Sequence, residues 1–423
     1  MNPRALLLLL LVSAAASAQN ATLAQLLEGA DKNNVDRRVS AQQRSRADAE
    51  YRQAWAGLLP SLSASGSITH NQDPTVIEQP NGMGGINRLV IVPSDQIDGV
   101  LRFDVPLIDA ARWLRTAAGS AAQDSAAERE ALTRDQVKRQ VVSAWYGYAA
   151  ALAVRESARK SLGVAQAQVK LQEIRMNAGA ATELERLRSN AERARVLQLV
   201  ADTENLVAVG RRSLRTLTFI DPGEAAPLPE DDLRAEAPLE ELEQHAEQLP
   251  GVRSSDKDVI FNERLLTAQR LIILPTVGAQ FTERLTNATG FSGRVANFNA
   301  GLYFSWRLDV PMFQAMGAQH ANLSVAQLQA ERVRLAAKDQ IHADWQRQRA
   351  AVTKVEAARA QVEAAQRAAS VARDRYAVGV STQVDVIQAE RDLFSAEVSQ
   401  IQARTDLASA RAGLRISAGL PLE

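Results

Sequence analysis

The stretch from Phe298 to Val310, with the long helical pattern directly behind it, constrains this chain more than any other. Phe298, Ala300, Leu302, Phe304, Trp306, Leu308 and Val310 alternate with Asn299, Gly301, Tyr303, Ser305, Arg307 and Asp309. A period of two puts the two sets on opposite faces of a strand. One face is apolar and aromatic, and the other carries both charges. A soluble sandwich would bury the apolar face against a second sheet. A membrane barrel would turn it to lipid and line a watery lumen with the polar face, which places Leu302, Phe304, Trp306 and Leu308 outward. Pro311 closes the strand, and a helical period then holds over 314–378.

How such a chain reaches a membrane is written at its start. Residues 1–18 read as a secretory signal peptide: Met1–Arg4 is basic, Leu6–Val12 apolar, and Ala16-Ser17-Ala18 an Ala-x-Ala cleavage site. No other stretch approaches the ~20 apolar residues of a membrane helix, so any crossing is made by strands. With no Cys, disulfides and lipid-modified cysteines are excluded. Lys plus Arg number 49 and Asp plus Glu 49, a balance that points to no nucleic acid partner.

Two repeats follow. The first, 19–220, reads as a helix broken near Asn33-Asn34, strands at 61–70 and 96–108, a long helix at 110–177 and a return helix at 182–217. Residues 71–95, rich in Pro and Gly, read as a long loop. An acidic, Pro-rich linker at 221–238 reads as a solvated equatorial segment. The second repeat, 239–423, gives a helix, strands at 276–286 and 297–310, a long helix at 314–378 and a return helix at 382–416. Leu59-Pro60-Ser61 matches Leu274-Pro275-Thr276, Asp104-Val105-Pro106 matches Asp309-Val310-Pro311, and Trp145, Gly179, Thr182 and Glu185 match Trp345, Gly379, Thr382 and Asp385.

The expected fold class is an α+β membrane protein. Four strands cannot close a barrel, and an open edge in lipid leaves backbone groups unpaired at several kcal/mol each. Several copies must therefore pool their strands, most simply a homotrimer with a 12-stranded barrel. The helices carry heptad seams. Val355, Ala358, Val362, Ala365, Ala369, Ala372 and Tyr376 form one, and Val384, Ile387, Arg391, Phe394, Val398, Ile401, Thr405 and Ala408 another. Val137, Val141, Ala144, Tyr148 and Ala151 begin the seam of the first long helix. Side-by-side packing of such helices makes a coiled-coil tunnel wall. At the far end, Gly179 and Gly379 are expected to end the long helices in the left-handed conformation, and Thr182 and Thr382 to N-cap the return helices.

Tyr376-Ala-Val-Gly379-Val-Ser-Thr382-Gln-Val-Asp385-Val-Ile-Gln-Ala389 resembles the helix-tip motif of the TolC family of outer membrane efflux proteins, and Phe103-Asp-Val-Pro106-Leu-Ile-Asp109 resembles its strand-to-helix junction. The resemblance covers essentially the whole mature chain. It implies a trimer with its barrel in the outer membrane lipid, a helical tunnel through the periplasm, and docking of the tips to a periplasmic adaptor protein and an inner-membrane transporter. It also implies that Asp385 and Glu185 fall at the family's tip acids, where the tunnel narrows. Ser381 stands where some members have Arg, and Gln388 where some have a second acid, so the constriction reduces to a single acidic ring. Asp385 also reads as a helix-start acid at the positive end of the return helix. Glu185 has the alternative of bonding a neighbouring helix, with Tyr376 as the expected partner.

No catalytic, cofactor or metal site emerges. His70, His245, His320 and His342 are not paired at helix-ligand spacing, and no phosphate loop, nucleophile elbow or HExxH is present. Three functions remain open at this point: an export duct, a non-conducting coiled-coil scaffold of the envelope, and a secreted hydrolase whose site the sequence does not reveal.

Overall fold

The computed structural model describes residues 20–80, 82 and 84–422, so the expected signal peptide lies outside the described residues. Helix α1 (Leu23–Asn33) starts on a capping box made by Thr22 and Gln25. Asn34 ends it and at once restarts the chain as α2 (Val35–Ala56), its side-chain oxygen accepting from the Asp36 N–H at 2.9 Å. Strands β1 (Ser61–His70), β2 (Thr75–Pro80), β3 (Ile86–Val92) and β4 (Asp95–Ile108) lead into α3 (Ala110–Asn177) and its return helix α4 (Glu183–Thr218). The chain then runs through 221–238 without regular structure into α5 (Leu239–Gln244), a 3-10 turn, and α6 (Pro250–Leu271). Strands β5 (Thr276–Thr286) and β6 (Ala296–Ser305) precede α7 (Val310–Ala377) and α8 (Gln383–Ser417). Two compact units result. The first holds the described residues up to Gln42, with Glu128–Val252 and those from Val333 on; the second holds Gln43–Ala127 and Arg253–Arg332.

The second unit contains the sheet, of order β1-β4-β5-β6 and antiparallel throughout. Its register keeps one face apolar across all four strands. Leu62 pairs with Phe103, Phe103 with Phe281, and Phe281 with Ala300; Val277 pairs with Phe304, and Ala279 with Leu302. Two acids share that face: Glu283, set between Leu101 and Phe298, and Asp95 at the start of β4, which bonds His70 at 2.7 Å. On the other face the Tyr303 ring lies against Gly278, where any Cβ would collide with it. Strands β1 and β6 are the free edges, and every residue of both is exposed.

Three sequence expectations are corrected here. Residues 71–95 are not a plain loop: β2 and β3 pair as an antiparallel hairpin, Ile77 opposite Leu89 and Glu78 opposite Arg88. Pro and Gly concentrate at its turn, and that density masked the strands. The last strand ends at Ser305 rather than at 310, so Trp306 and Leu308 lie beyond the sheet. Alternation continues through 306–310 by composition alone; there the Trp306 indole N–H donates to the Ile273 carbonyl at 3.0 Å, and Arg307 pairs with Asp309 at 2.5 Å. Helix α7 accordingly begins at Val310 rather than 314, with Pro311 in its first turn, where a missing N–H is harmless. Finally, Asp104-Val105-Pro106 and Asp309-Val310-Pro311 are not equivalent places. Pro106 lies inside β4 beside a register shift, and the true counterpart of Asp309 is Asp109. Each stands just before a long helix with a carboxylate oxygen accepting from the third N–H on: Arg112 at 2.8 Å and Met312 at 3.2 Å.

In the first unit, α1 packs beside Trp145 with Val137, Val141, Tyr148 and Leu214, and α5 with its 3-10 turn packs beside Trp345 with Ile341 and Leu414. The internal repeat thus recurs in the core. Five of the seven expected α7 seam residues, Val355, Ala358, Val362, Ala369 and Tyr376, are each under a tenth exposed, and Ala365 and Ala372 are half-buried. The α8 seam needs correction. Ile401 and Thr405 of the expected seam are buried, but Val384 is 48 % exposed and Arg391 exposed too, and a second ladder of Gln383, Val386, Ala396, Ala403, Leu407, Ala410, Leu414 and Ser417 is buried beside it. Helix α8 meets α3, α4 and α7 through Ser157–Glu397, Glu192–Arg391 and Arg373–Glu390, so more than one stripe is covered. The linker is not simply solvated either. Asp231 pairs with Arg359 at 2.5 Å and Arg404 at 2.8 Å, Asp232 with Arg411, and Glu236 with Arg411 at 3.2 Å. These pairs strap it across α7 and α8.

Candidate functional site

Both long helices end in the same way. The N–H of Gly179 bonds the Met176 carbonyl at 3.0 Å and that of Ala180 bonds Arg175 at 2.7 Å; Gly379 to Tyr376 at 3.1 Å and Val380 to Arg375 at 2.9 Å repeat the pattern. These are Schellman closures, which need a left-handed residue after the last helical carbonyls. Gly179 and Gly379 supply it with φ of +70° and +78°. Shortly after, Thr182 and Thr382 cap the return helices as expected.

The tip acids are the third residues of those helices. The Glu185 carboxylate accepts from the Thr182 N–H at 2.7 Å, and that of Asp385 from the Thr382 N–H at 2.8 Å; each threonine hydroxyl in turn accepts from the acid's own N–H at 3.3 Å. Bonds from the threonine backbone first, then from its hydroxyl, hold both carboxyls below their usual range. Both acids are therefore ionised at neutral pH, and the N-terminal end of each helix favours that state. Glu185 does not bond Tyr376, because the capping box satisfies it locally.

Tyr376 instead ties the hairpins together. Its hydroxyl accepts from Gln172 Nε2 at 2.8 Å, and the Arg175 guanidinium sits 4.7 Å from its ring centroid. Gln172 is fully buried, with Oε1 unpartnered. Gln383, also buried, donates to the Glu185 carbonyl at 2.9 Å and to the Ser189 hydroxyl. Further along the helices, Arg391 of α8 grips Glu192 of α4, which also pairs with Arg195 at 2.6 Å. Burial raises the Glu192 carboxyl, but the two guanidiniums outweigh it and the net shift is downward. Glu390 goes the other way, raised by burial although Arg373 lies 3.1 Å away.

Of these residues, Gln172, Glu192 and Glu390 escaped the sequence reading. Gln172 lies three residues after the buried Val169 of α3 and one heptad after the buried Ala165, and a polar side chain at that spacing was the signal available. Of the expected site residues, Gly179, Thr182, Glu185, Tyr376, Gly379, Thr382 and Asp385 all fall in this one tip region. Leu302 and Phe304 share the apolar sheet face, and Trp306 and Leu308 do not lie on the sheet.

A unit of two helical hairpins, and a sheet with one apolar face, are the parts of one known family. The sequence profile described as "Outer membrane efflux protein" matches residues 26–218 and 264–420. The chain belongs to the outer membrane efflux proteins. It is 25 % identical over 395 residues to the toluene efflux pump outer membrane protein TtgC of Pseudomonas putida, covering 90 % of this chain and 79 % of TtgC. Among solved structures it shares its fold with the Campylobacter jejuni CmeC outer membrane channel (TM-score 0.79, 17 % identity, 95 % of this chain and 86 % of CmeC). The outer membrane protein VceC of Vibrio cholerae is as similar (TM-score 0.78, 18 % identity, 96 % of this chain and 98 % of VceC). As an outer membrane efflux protein the chain contributes its sheet to an outer-membrane β-barrel, and its helices to a tunnel in the periplasm. Its role is that of an exit duct, and the family consists of transport proteins rather than enzymes.

Proposed function

We propose that three copies of this chain pool their sheets into one barrel, and that the assembly is the outlet of a tripartite efflux or secretion system. The observation that carries this reading is the sheet with two free edges, β1 and β6. Left open in lipid, those edges would cost several kcal/mol per unpaired group. Three four-stranded sheets give a barrel of about 12 strands, wide enough to keep a lumen. Outer-membrane lipid then covers the face of Leu302 and Phe304, and Trp306 and Leu308 lie at the barrel's helix-side rim. A periplasmic adaptor docks on the tips formed by Gly179, Thr182, Tyr376, Gly379 and Thr382, and an inner-membrane transporter supplies the energy. The cargo is small toxic molecules or proteins, and the similarity to a toluene pump component supports the first. Asp385, with Glu185, lines the constriction as an acidic ring in addition to capping its helix.

Current through purified trimers in planar bilayers tests the reading. A trimer that conducts supports the duct, and one that is intact but silent supports the coiled-coil scaffold instead. Asp385→Asn removes the charge and keeps a side-chain oxygen for the Thr382 N–H, whereas Asp385→Ala removes both. Both variants are expected to weaken cation preference. If neither moves the reversal potential in intact trimers, Asp385 only starts a helix and the constriction lies elsewhere.

A further inference from the structure

The polar face of the sheet consists mostly of hydroxyls and amides, and four charged residues share it: Asp98, Arg102 and Asp104 on β4 and Arg284 on β5. Two are acids and two are bases, so the face carries no net charge. They are also paired. Arg284 reaches across to Asp98 with Nε at 3.0 Å and Nη2 at 2.8 Å from the same carboxylate oxygen. Arg102 holds both oxygens of Asp104 through Nε, at 3.0 and 2.8 Å. The pairs form two tiers, one near the start of β4 and one nearer its end. A charge and its counter-charge at hydrogen-bond distance make a dipole whose field fades quickly along a pore, whereas a ring of unpaired charges acts over about a Debye length, ~10 Å at 0.1 M salt.

We propose that the barrel lumen is a charge-neutral passage, and that the Asp98–Arg284 and Arg102–Asp104 pairs are the residues that keep it so. This rests on the reading above, in which the polar face lines a conducting barrel. Ion preference is then set at the tips and not in the barrel, and the barrel passes cationic and anionic cargo alike. Each pair is a latent filter. Freeing one acid in every copy creates a three-fold acidic ring, and freeing one base creates a basic one.

The test is a reversal-potential cycle on intact trimers in planar bilayers under a KCl gradient at low ionic strength. Arg284→Gln leaves Asp98 unpaired and is expected to shift the permeability ratio toward K+, on the order of twofold or more. Asp98→Asn should shift it toward Cl− by a similar factor. Asp98→Asn/Arg284→Gln should return to the wild-type value. Arg102→Gln and Asp104→Asn repeat the cycle at the other tier and cover the case in which one substitution prevents assembly. Conducting single variants with the wild-type ratio overturn the proposal, as does a double variant displaced as far as a single one. A wild-type trimer that passes no current overturns the duct reading and this inference with it, a result distinct from current with unmoved selectivity.

Discussion

Tyr376→Phe removes one oxygen from a site that has no water-facing alternative. Tyr376 is 6 % exposed and Gln172 0 %, and the Gln172 carbonyl oxygen is already without a partner. Losing the hydroxyl strands the amide N–H as well. An unmade bond at a buried donor costs about 1–3 kcal/mol, more than the ~1 kcal/mol net value of a made one. The ring stays, so the stacking of Arg175 is kept and the change isolates the hydroxyl. Adding Gln172→Leu removes both polar partners and the orphaned oxygen together, and replacing a matched pair by apolar groups of similar shape is close to neutral. The assay is amide hydrogen exchange of peptides spanning Gln172 and Tyr376, which reads local opening free energy. Tyr376→Phe should speed exchange by about 5–150-fold, the equivalent of 1–3 kcal/mol, and the double variant should return to near wild type. Unchanged exchange in Tyr376→Phe, or a double variant as fast as the single, would refute the claim that this bond joins the hairpins.

Three more outcomes are expected. Gly379→Ala forces a side chain into a left-handed φ where nothing else lies within 4 Å, so it should lose about 1–2 kcal/mol from backbone strain alone, with Gly179→Ala losing the same; thermal melts in detergent measure both. Phe304→Cys should react with an aqueous thiol reagent far more slowly than Ser305→Cys in intact trimers, and Phe304→Arg should cost ~2–4 kcal/mol; equal labelling would show the face assignment wrong. Arg234 and, across the strap, Arg411 hold the Asp232 carboxyl well below its usual range, with burial opposing them. A depressed carboxyl contributes stability in full above its ordinary pKa and loses it as pH falls through the lowered one. Proteolytic protection of the linker should therefore be flat from pH 7 to 5 and fall only below about pH 4; loss between 7 and 5 would rule the strap out.

What could be read from the sequence follows the range of the interactions involved. Thr182 and Thr382 were legible because a cap acts over three residues, and Gly179 and Gly379 because a Schellman closure spans six. The paired faces of β1 and β5 were legible from alternation alone. Alternation misled at Trp306–Val310, since a period of two cannot distinguish the last residues of a strand from a loop of the same composition; only the Asp309 cap marks the change. The linker was misread because Arg359, Arg404 and Arg411, which tie Asp231 and Asp232 to α7 and α8, lie more than a hundred residues away. Gln172 and Tyr376 are separated by 204 positions, and no local pattern joins them.

The order of the sheet also sets a timetable for its assembly. At its centre β4 pairs with β5, and Asp98 meets Thr286 across nearly the whole of α3, α4 and α6. Until β5 emerges from the export channel, β1 and β4 have only each other, and an isolated pair of strands is marginal in water. By then the first helical hairpin is already complete on the periplasmic side. β1 and β4 thus wait for their neighbours while the first helical hairpin forms, and the sheet gains β5 and β6 before α7 and α8 follow. The alternation of β1 suits that wait, because Ser or Thr separates Leu62, Ala64, Gly66 and Ile68 and leaves no continuous apolar run that would insert or aggregate before its partners arrive.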